Sequence, residues 1–329
     1  MIRICNWNHN GEMHQDLPLD EWAGQLAQPG NMLWVDIYDS PDDDSRAIMK
    51  DIFGFHPLAI DDALEETHIP KVDDWCDYLY LVTQVIQSDS TTDLRFETQE
   101  LDIFIGKNYL LTYHSENSET IDKVWERTVK NHLQTIPGPA RILYLLLDET
   151  ASDFIINIDQ LDLILSDLED RLFQQAEPAL LEEIFSLKRS ILSLRQSIGP
   201  QREVLNKLAR GDYPLLGEQS SIYFQDVYDH YLRLLDVIEN LRDLADNSLE
   251  IFLSVVNNRM SGIVKTLTII TSLFMPISFL VAFFGMNFFP PLQNFTEWMA
   301  QPVFFVVLAA IILFPAIMLL IYNRKGWIK

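Results

Sequence analysis

Cysteine is scarce in this 329-residue chain, and its two copies, Cys5 and Cys76, form no CxxC pattern. Neither a disulfide framework nor a zinc knuckle is supported, and both thiols are predicted to stay reduced. Basic residues are also few, with 24 Lys and Arg against 48 Asp and Glu and a net charge of -24. Because phosphate contacts need clustered basic side chains, this balance argues against nucleic acid as a partner. A hydrophobic fraction of 48% excludes a disordered acidic chain.

Signatures of the common enzyme classes are missing. The chain contains no HExxH, GxSxG, GxGxxG or Walker motif. Its seven histidines follow no metal-ligand spacing, and each is predicted to lie on the surface or at a helix end. The sequence therefore predicts a protein that is not an enzyme, with no catalytic and no cofactor-binding residues.

Two long uncharged runs near the C-terminus are the strongest feature that is present. No charged residue occurs over 266–296 or over 298–323. Each run exceeds the ~20 apolar residues that a helix needs to cross a bilayer. One span around 269–284 and a second over 303–322 are predicted, with a short polar turn between them. The alternative is a pair of buried core helices in a soluble protein.

Basic residues flank the two predicted spans on one side only. Arg259 and Lys265 precede the first span, Arg324, Lys325 and Lys329 follow the second, and the connecting loop has none. Cytoplasmic flanks of membrane helices are enriched in Lys and Arg. Both termini are therefore predicted to face the cytoplasm, in the plasma (inner) membrane. The N-terminus lacks the apolar core of a signal peptide, which agrees with that orientation.

A hairpin of two helices cannot enclose a water-filled path, so a conducting role requires several copies around an axis. One face of the first span is marked by residues at steps of three and four: Val264, Leu267, Thr271, Met275, Ser278 and Ala282. The alternative is an interaction protein in which the hairpin serves only as a membrane anchor.

The first part of the chain, to about residue 127, predicts a mixed α/β domain. Strands are predicted over 32–38, 78–86 and 101–113, where Val, Ile, Leu and aromatic residues predominate. Helices are predicted over 43–53, 57–66 and 119–131.

Helix formers dominate after Pro139. One helix is predicted over 141–175, and another from Pro178 towards Ser197, with an interruption at Gly199 and Pro200. The 44 residues over 218–261 contain neither glycine nor proline. An apolar stripe at steps of three and four predicts a packing seam along this rod. The rod is predicted to continue into the first span, so that movement in the cytosolic domain reaches the membrane mechanically.

The segment Phe284-Gly285-Met286-Asn287-Phe288 lies at the outer end of the first span. Glycine allows a helix to end and expose backbone carbonyls, and Asn287 offers an uncharged side-chain oxygen. In a ring of subunits such oxygens would hydrogen-bond to a hydrated cation, since Mg²⁺ loses its water reluctantly. A plain helix C-cap before a turn is the alternative.

Gly285-Met286-Asn287 between two C-terminal spans resembles the signature of the CorA family of magnesium transporters, the two-span GxN family. Other ordered motifs extend the resemblance over residues ~50 to 329. They are Lys265-Thr266-Leu267-Thr268-Ile269-Ile270, Phe274-Met275-Pro276, Tyr223-Phe224-Gln225-Asp226-Val227-Tyr228-Asp229-His230, His56-Pro57-Leu58-Ala59-Ile60-Asp61-Asp62 and Pro70-Lys71-Val72.

The resemblance implies an α+β membrane protein that forms a homopentameric funnel in the lipid bilayer. An N-terminal α/β/α cytosolic domain would feed a long helical stalk and two C-terminal transmembrane helices. The predicted divisions are a cytosolic α/β domain over 1–138, an antiparallel helical segment over 139–217, a stalk helix over 218–266, a pore-lining helix over 267–287, an outer loop over 288–298, a second transmembrane helix over 299–322 and a basic tail over 323–329.

The resemblance also implies roles for individual residues. Asn287 would form the outer selectivity ring with Gly285 and Met286. The pore-lining residues would be Leu267, Thr271, Met275, Ser278 and Ala282, with Leu267 and Met275 as hydrophobic constrictions. Carboxylates of intersubunit regulatory metal sites would be Asp61, Asp62, Asp148 and Asp226, for which a solvated acidic surface is the alternative.

Mg²⁺ is the predicted ion, both transported and regulatory, and cytosolic Mg²⁺ would bridge the carboxylates and shut the pore. Co²⁺, Ni²⁺ and Zn²⁺ are the alternative ions for the same architecture. Two departures from the family pattern bear on this prediction. The outer loop carries Glu297 as its only acid, and the basic cluster after the second span is reduced to Arg324, Lys325 and Lys329.

Overall fold

The structure is a computed structural model that describes residues 1–9, 12–15, 17–65, 69–87, 96–130, 138–174, 177–285 and 302–327. The chain divides into two compact units, Met1–Leu249 and Glu250–Lys329.

A seven-stranded sheet forms the centre of the first unit. Its order is β2-β1-β3-β7-β6-β5-β4. Every neighbouring pair is antiparallel except β3 with β7, which run parallel. The strands are β1 (Ile2–Trp7), β2 (Met13–Gln15), β3 (Met32–Tyr38), β4 (Lys71–Asp74), β5 (Leu79–Gln87), β6 (Glu97–Ile105) and β7 (Tyr109–His114).

Eight α-helices occur among the described residues. Local sequence sets several of their starts: Pro57 and Pro178 each occupy a first turn, where a missing N–H costs nothing, and His56 Nδ1 accepts the Leu58 N–H at 3.2 Å. The helices are α1 (Trp22–Leu26), α2 (Asp42–Ala47), α3 (Pro57–Leu64), α4 (Glu119–Lys130), α5 (Pro139–Gln174), α6 (Pro178–Ala209), α7 (Ser221–Gly285) and α8 (Pro302–Arg324). A π-helical turn, Ile48–Ile52, follows α2 directly.

The sheet is covered by helices on both faces. Side chains alternate along each strand, so that Leu33 and Val35 lie on one face of β3 and Trp34 lies on the other. The first face packs against α1, α3 and the π-helical turn, through residues such as Met49 and Ile60. The second face packs against α4, α5, α6 and α7. The predicted α/β/α arrangement of the N-terminal domain is thus confirmed.

Helices α5, α6 and α7 pack side by side in a fixed register. The Tyr144 and Tyr223 rings lie 5.2 Å apart, and Ser248 donates to Glu169 at 3.1 Å. In both pairs the α7 residue lies 79 positions after the α5 residue, so α5 and α7 run parallel.

Helix α6 runs antiparallel to α7. Its residues Gln201, Arg195 and Lys188 contact Tyr231, Glu239 and Asp246 of α7, in that order. The buried seam includes Phe224, Val227, Tyr231, Leu234, Ile238, Leu241 and Ala245, which confirms this part of the packing stripe predicted for the rod. The stripe was predicted to continue through Leu249 and Phe252 to Val256, but Val256 is 38% exposed.

Two sequence predictions are wrong within this unit. The single strand predicted over 101–113 is two antiparallel strands, because the chain turns at Gly106, whose N–H bonds to the Tyr109 carbonyl at 3.0 Å. A Cβ on Gly106 would lie 2.2 Å from the Tyr109 ring, so glycine is required there. The interruption predicted at Gly199 and Pro200 is also absent, and α6 continues through both residues.

Packing explains why α6 does not break. A buried stripe runs from one side of Pro200 to the other: Leu187, Ile191, Leu194, Ile198, Gln201, Leu205 and Leu208. Proline inside a helix costs about 3 kcal/mol. Each buried Leu or Ile contributes about 1.5–3 kcal/mol. The stripe therefore outweighs the proline.

Two buried polar networks tie elements of this unit together. Asp36, fully buried on β3, accepts from Arg3 Nε at 2.7 Å and from Thr112, and lies 3.2 Å from His114 Nε2. Burial alone would raise the pKa of Asp36, but the hydrogen bond and charge of His114 and the charge of Arg3 hold it below its usual value. The β1, β3 and β7 strands are thereby joined by one buried polar network.

The second network centres on Gln201 of α6. Its Oε1 accepts from Thr83 of β5 and from Tyr231 of α7, each at 2.8 Å. Its Nε2 donates to the Ser197 carbonyl at 3.1 Å. One amide therefore connects the sheet with two helices of the bundle.

The second unit comprises the end of α7 and the whole of α8. Both helices carry segments long and apolar enough to cross a membrane. Helix α7 continues unbroken to Gly285, through Gly262 and Pro276, so the predicted continuation of the rod into the first span is confirmed. The N-terminal α/β domain, the long helix and two apolar C-terminal helices of the predicted fold class are all present.

Candidate metal centre and ion path

Three ligand-type side chains meet where α5 and α7 pack together. They are Asp148 of α5 with Asp226 and His230 of α7, and one ligand atom of each lies within 4.8 Å of the others. His230 Nδ1 is 3.9 Å from Asp148 Oδ1. Asp226 and His230 share one face of α7 because they are four residues apart. The parallel register of the two helices thus builds the cluster.

The cluster is open to water. Asp226 is exposed, and the Asp148 and His230 side chains are 25% and 29% exposed. Hard divalent cations prefer carboxylate oxygens and retain several waters, while imidazole nitrogen suits Co²⁺, Ni²⁺ and Zn²⁺. The donor set therefore fits a partly hydrated divalent cation, with the imidazole as a ligand for the softer ions.

A stack of aromatic and cationic side chains lies one turn before the carboxylates. Arg141 lies over the rings of Tyr144 and Tyr223, 4.9 and 4.8 Å from their centroids. Burial and then the negative charges of Asp148 and Asp226 raise the pKa of the Tyr144 hydroxyl. The field of the two carboxylates therefore reaches Tyr144.

Asp61 and Asp62 lie on α3 and pair with basic side chains of their own domain. Asp61 Oδ1 is 2.5 Å from Arg46, and Asp62 pairs with Lys71. Among the described residues, the candidate metal cluster contains Asp148 and Asp226 but neither α3 carboxylate. Their predicted share in metal sites between subunits stays a prediction.

The predicted pore face of α7 is exposed along its whole length. Leu267 and Met275 are 62% and 66% exposed. Thr271, Ser278 and Ala282 on the same face are exposed as well. A less exposed stripe runs along another side of the helix, through Lys265, Ile269, Ser272, Pro276 and Leu280.

The less exposed stripe includes the residues that contact α8. Ser272 Oγ lies 2.5 Å from the Tyr322 hydroxyl, and Lys265 Nζ donates to the Gly326 carbonyl at 3.4 Å. Helix α8 of the same chain therefore packs beside the predicted pore face and leaves that face open.

The selectivity motif lies at the limit of the described residues. Gly285 is the last residue of α7. Met286 and Asn287 lie outside the described residues, so their predicted ring stays a prediction.

A family model described as "CorA-like Mg2+ transporter protein" matches residues 29–325. The chain belongs to this family. YfjQ of Bacillus subtilis is 31% identical over 99% of this chain and 98% of its own length. The cobalt/magnesium transport protein CorA of Thermotoga maritima is 30% identical over 90% of this chain and 83% of its own length.

Solved structures agree with the family. The complete structure of the CorA magnesium transporter from Methanocaldococcus jannaschii covers 100% of this chain and matches over 99% of its own length, with a TM-score of 0.83 at 24% identity. That likeness shows the fold. This CorA-like chain is thus a member of a family of divalent-metal transporters, and its two candidate membrane spans lie in α7 and α8.

For a CorA-like chain, the structure adds one candidate ligand that the sequence did not predict. Every histidine was expected to be a surface or helix-end residue without a ligand role, yet His230 lies with Asp148 and Asp226. The available signal was the four-residue spacing between Asp226 and His230, which places an acid and an imidazole on one helix face. Asp148 lies 78 residues before Asp226, and no spacing rule connects residues that far apart.

Proposed function

We propose that this protein carries Mg²⁺ into the cytosol, down its electrochemical gradient, as a homopentamer in the plasma (inner) membrane with both termini cytoplasmic. One observation carries the proposal. The face that carries Leu267, Thr271 and Met275 is exposed in the single chain, while the stripe around Ser272 packs against α8. A path along that face needs other copies of the chain to enclose it.

The proposed ion path joins hydrophobic positions with small hydroxyls. Leu267 and Met275 narrow the path and resist water, and Thr271 and Ser278 offer uncharged oxygens between and beyond them. At the outer end, Asn287 with Gly285 and Met286 would hydrogen-bond to the hydrated ion. The inside-negative potential draws cations inward at ~2.3 kcal/mol per charge per 100 mV, so about twice that for Mg²⁺.

Regulation is proposed to act through the carboxylates of the cytosolic unit. Asp148 and Asp226 repel each other unless a divalent cation lies between them, and Asp61 and Asp62 are proposed to join such sites from a neighbouring copy. When cytosolic Mg²⁺ falls, the sites empty and the interfaces loosen. Helix α7 carries both Asp226 and Leu267 without a break, which supports mechanical transmission from sensor to path.

Co²⁺ is the second candidate cargo, followed by Ni²⁺ and Zn²⁺. His230 belongs to the proposed regulatory cluster and not to the ion path, so it favours Co²⁺ as a ligand of that cluster, since imidazole nitrogen binds Co²⁺ more readily than Mg²⁺. The Thermotoga maritima relative is named a cobalt/magnesium transport protein, which supports testing both ions.

The test is uptake into liposomes that contain purified protein and a trapped Mg²⁺ indicator. Wild type is expected to take up Mg²⁺, faster with an inside-negative potential, and Asn287→Ala to lose most of that uptake. Asn294→Ala, the same change seven residues later, is the matched control and should keep it. Parallel runs with Co²⁺, Ni²⁺ and Zn²⁺ rank the ions. Absence of flux for every ion would favour the membrane-anchor alternative and reject transport.

A further inference from the structure

The C-terminus of α8 folds back on itself in a defined turn. Gly326 has φ +68, its N–H bonds to the Asn323 carbonyl at 3.1 Å, and the Trp327 N–H bonds to the Tyr322 carbonyl at 2.9 Å. This pair of bonds with a left-handed glycine is the Schellman motif, which favours contact between the residues at its two ends. The Trp327 ring accordingly stacks on Tyr322, with centroids 5.5 Å apart and planes 10° from parallel. We name Tyr322–Trp327 the C-terminal turn.

The C-terminal turn receives one charged side chain from α7. Lys265 Nζ donates to the Gly326 carbonyl at 3.4 Å and lies 6.0 Å from the centre of the Trp327 ring. Two turns further along α7, Ser272 shares a hydrogen bond of 2.5 Å with the Tyr322 hydroxyl. Lys265 and Ser272 are seven residues apart and lie on one side of the helix. The turn thus contacts α7 at two successive points.

Lys265 is the only charged residue in the 37 positions over 260–296. In the sequence it lies two residues before Leu267, the first predicted pore-lining residue. At 100° per residue, Lys265 lies about 120° around the helix from Thr271, at the centre of that face. An ammonium group on a flexible four-carbon stem can turn towards a neighbouring face unless something holds it.

We propose that the C-terminal turn positions Lys265, holding its ammonium group away from the inner mouth of the ion path. The proposal rests on the proposed transport function for its effect on flux, but the contact itself can be tested without flux. A divalent cation leaving the path meets twice the repulsion of a monovalent ion from each free ammonium group. Every copy in a ring would contribute one such group.

The flux experiment compares Trp327→Leu with Trp327→Leu/Lys265→Met in liposomes. Trp327→Leu removes the ring that faces Lys265, and we expect Mg²⁺ influx to fall several-fold. Removing the freed charge in the double variant should restore influx to within about twofold of wild type. If the two substitutions only damaged packing, their reductions of Mg²⁺ influx would add. A double variant as slow as Trp327→Leu, or slower, therefore overturns the proposal.

Position 326 supplies a matched pair. Gly326→Val cannot adopt a left-handed conformation without strain, whereas Gly326→Asn tolerates it. A Cβ at Gly326 meets no atom within 4 Å, so the two variants differ in backbone preference and not in clashes. We expect Gly326→Val to slow influx as Trp327→Leu does and Gly326→Asn to keep it. Equal influx through the two variants would contradict a role for the turn.

A second measurement tests the contact between Lys265 and the C-terminal turn independently of transport. Full-length protein in lipid nanodiscs is treated with an amine-reactive reagent, and modification of Lys265 is followed by mass spectrometry. Labelling should be several-fold faster in Trp327→Leu and Gly326→Val than in wild type and Gly326→Asn. Equal rates in all four proteins would overturn the proposal. If wild type carried no Mg²⁺ but the labelling rates differed as expected, the transport function would fail and the positioning of Lys265 would stand.

Discussion

Replacing Asp226 by asparagine tests the metal centre with opposite effects in the absence and presence of Mg²⁺. The substitution keeps the shape of the side chain and removes one negative charge from a cluster whose ligand atoms lie within 4.8 Å. Two unit charges at that separation repel by about 1 kcal/mol in water. Without divalent ions, Asp226→Asn should therefore be more stable than wild type by up to about 1 kcal/mol.

At sufficient Mg²⁺, wild type should instead become more stable than Asp226→Asn. A hydrated Mg²⁺ held about 4 Å from a carboxylate gains about 2 kcal/mol from that charge in water, and its loss weakens binding roughly 30-fold. Since ligand stabilisation follows RT ln(1 + [Mg²⁺]/Kd), the curve of Tm against log [Mg²⁺] should shift by about 1.5 decades to higher Mg²⁺. The wild-type and variant curves are then expected to cross.

The assay is thermal unfolding of the full-length protein in detergent across a Mg²⁺ titration at constant ionic strength. Asp162→Asn, at an exposed position on α5, makes the same change in net charge and serves as the control. Asp162→Asn should change the metal-free stability, and the Mg²⁺ concentration needed for stabilisation, by much less than Asp226→Asn does. A shift no larger in Asp226→Asn than in Asp162→Asn would refute the assignment of the cluster as a cation site.

Three further outcomes are expected. His230→Gln should raise the Co²⁺ concentration needed for a given rise in Tm about tenfold, and the Mg²⁺ concentration less than threefold, because imidazole is the softer ligand. Equal increases for the two ions in the same Tm titrations would contradict a ligand role. The lowered pKa of Asp36 means that its ionised form supports the fold above its unfolded pKa of about 4, and that this support is lost as pH falls through the folded pKa. The urea midpoint should accordingly drop on acidification below about pH 4, and Asp36→Asn should flatten that drop while lowering stability at neutral pH; an unchanged slope would argue against the ion network. Tyr231→Phe removes one donor to Gln201 and should reduce the unfolding free energy by about 1 kcal/mol in denaturant titrations, with Tyr228→Phe, whose ring is only partly buried, as the control expected to change little.

Periodicity predicted the long elements because burial sets their pattern. The strand over 32–38 and the helices near 119–131 and 141–175 agree with β3, α4 and α5 within about two residues. In β3, six consecutive buried residues lie within a sheet covered on both faces, and such runs read as strands from composition alone.

Local signals were overlooked in one place and overruled by packing in another. Gly106 and Asn108 mark the turn between β6 and β7 in the sequence, but the apolar residues on both sides predict a single strand. Conversely, Pro200 is a strong local breaker that the buried stripe of α6 outweighs. Strands β1, β2 and β4 were not predicted; β2 and β4 are short, and the pairing of β1 with β3 is fixed by residues about 30 positions away.

The candidate site was likewise predicted from the sequence only in part. The family resemblance implied roles for Asp148 and Asp226, but only the parallel register of α5 and α7 places them together. His230 was missed because a histidine without a ligand partner in sequence is usually a surface residue. The pore face was predicted from a helical stripe; its residues are exposed, and their role stays a prediction.

The register of α5 against α7 gives the metal centre a property that a loop-built site would lack. Advancing one helix by a single residue moves its side chains by about 1.5 Å along the axis and swings them by 100°. Asp226 and His230 would then point away from Asp148. A cation bound between the two helices would therefore resist axial sliding of one helix against the other, and would add to the buried seam that already holds their register.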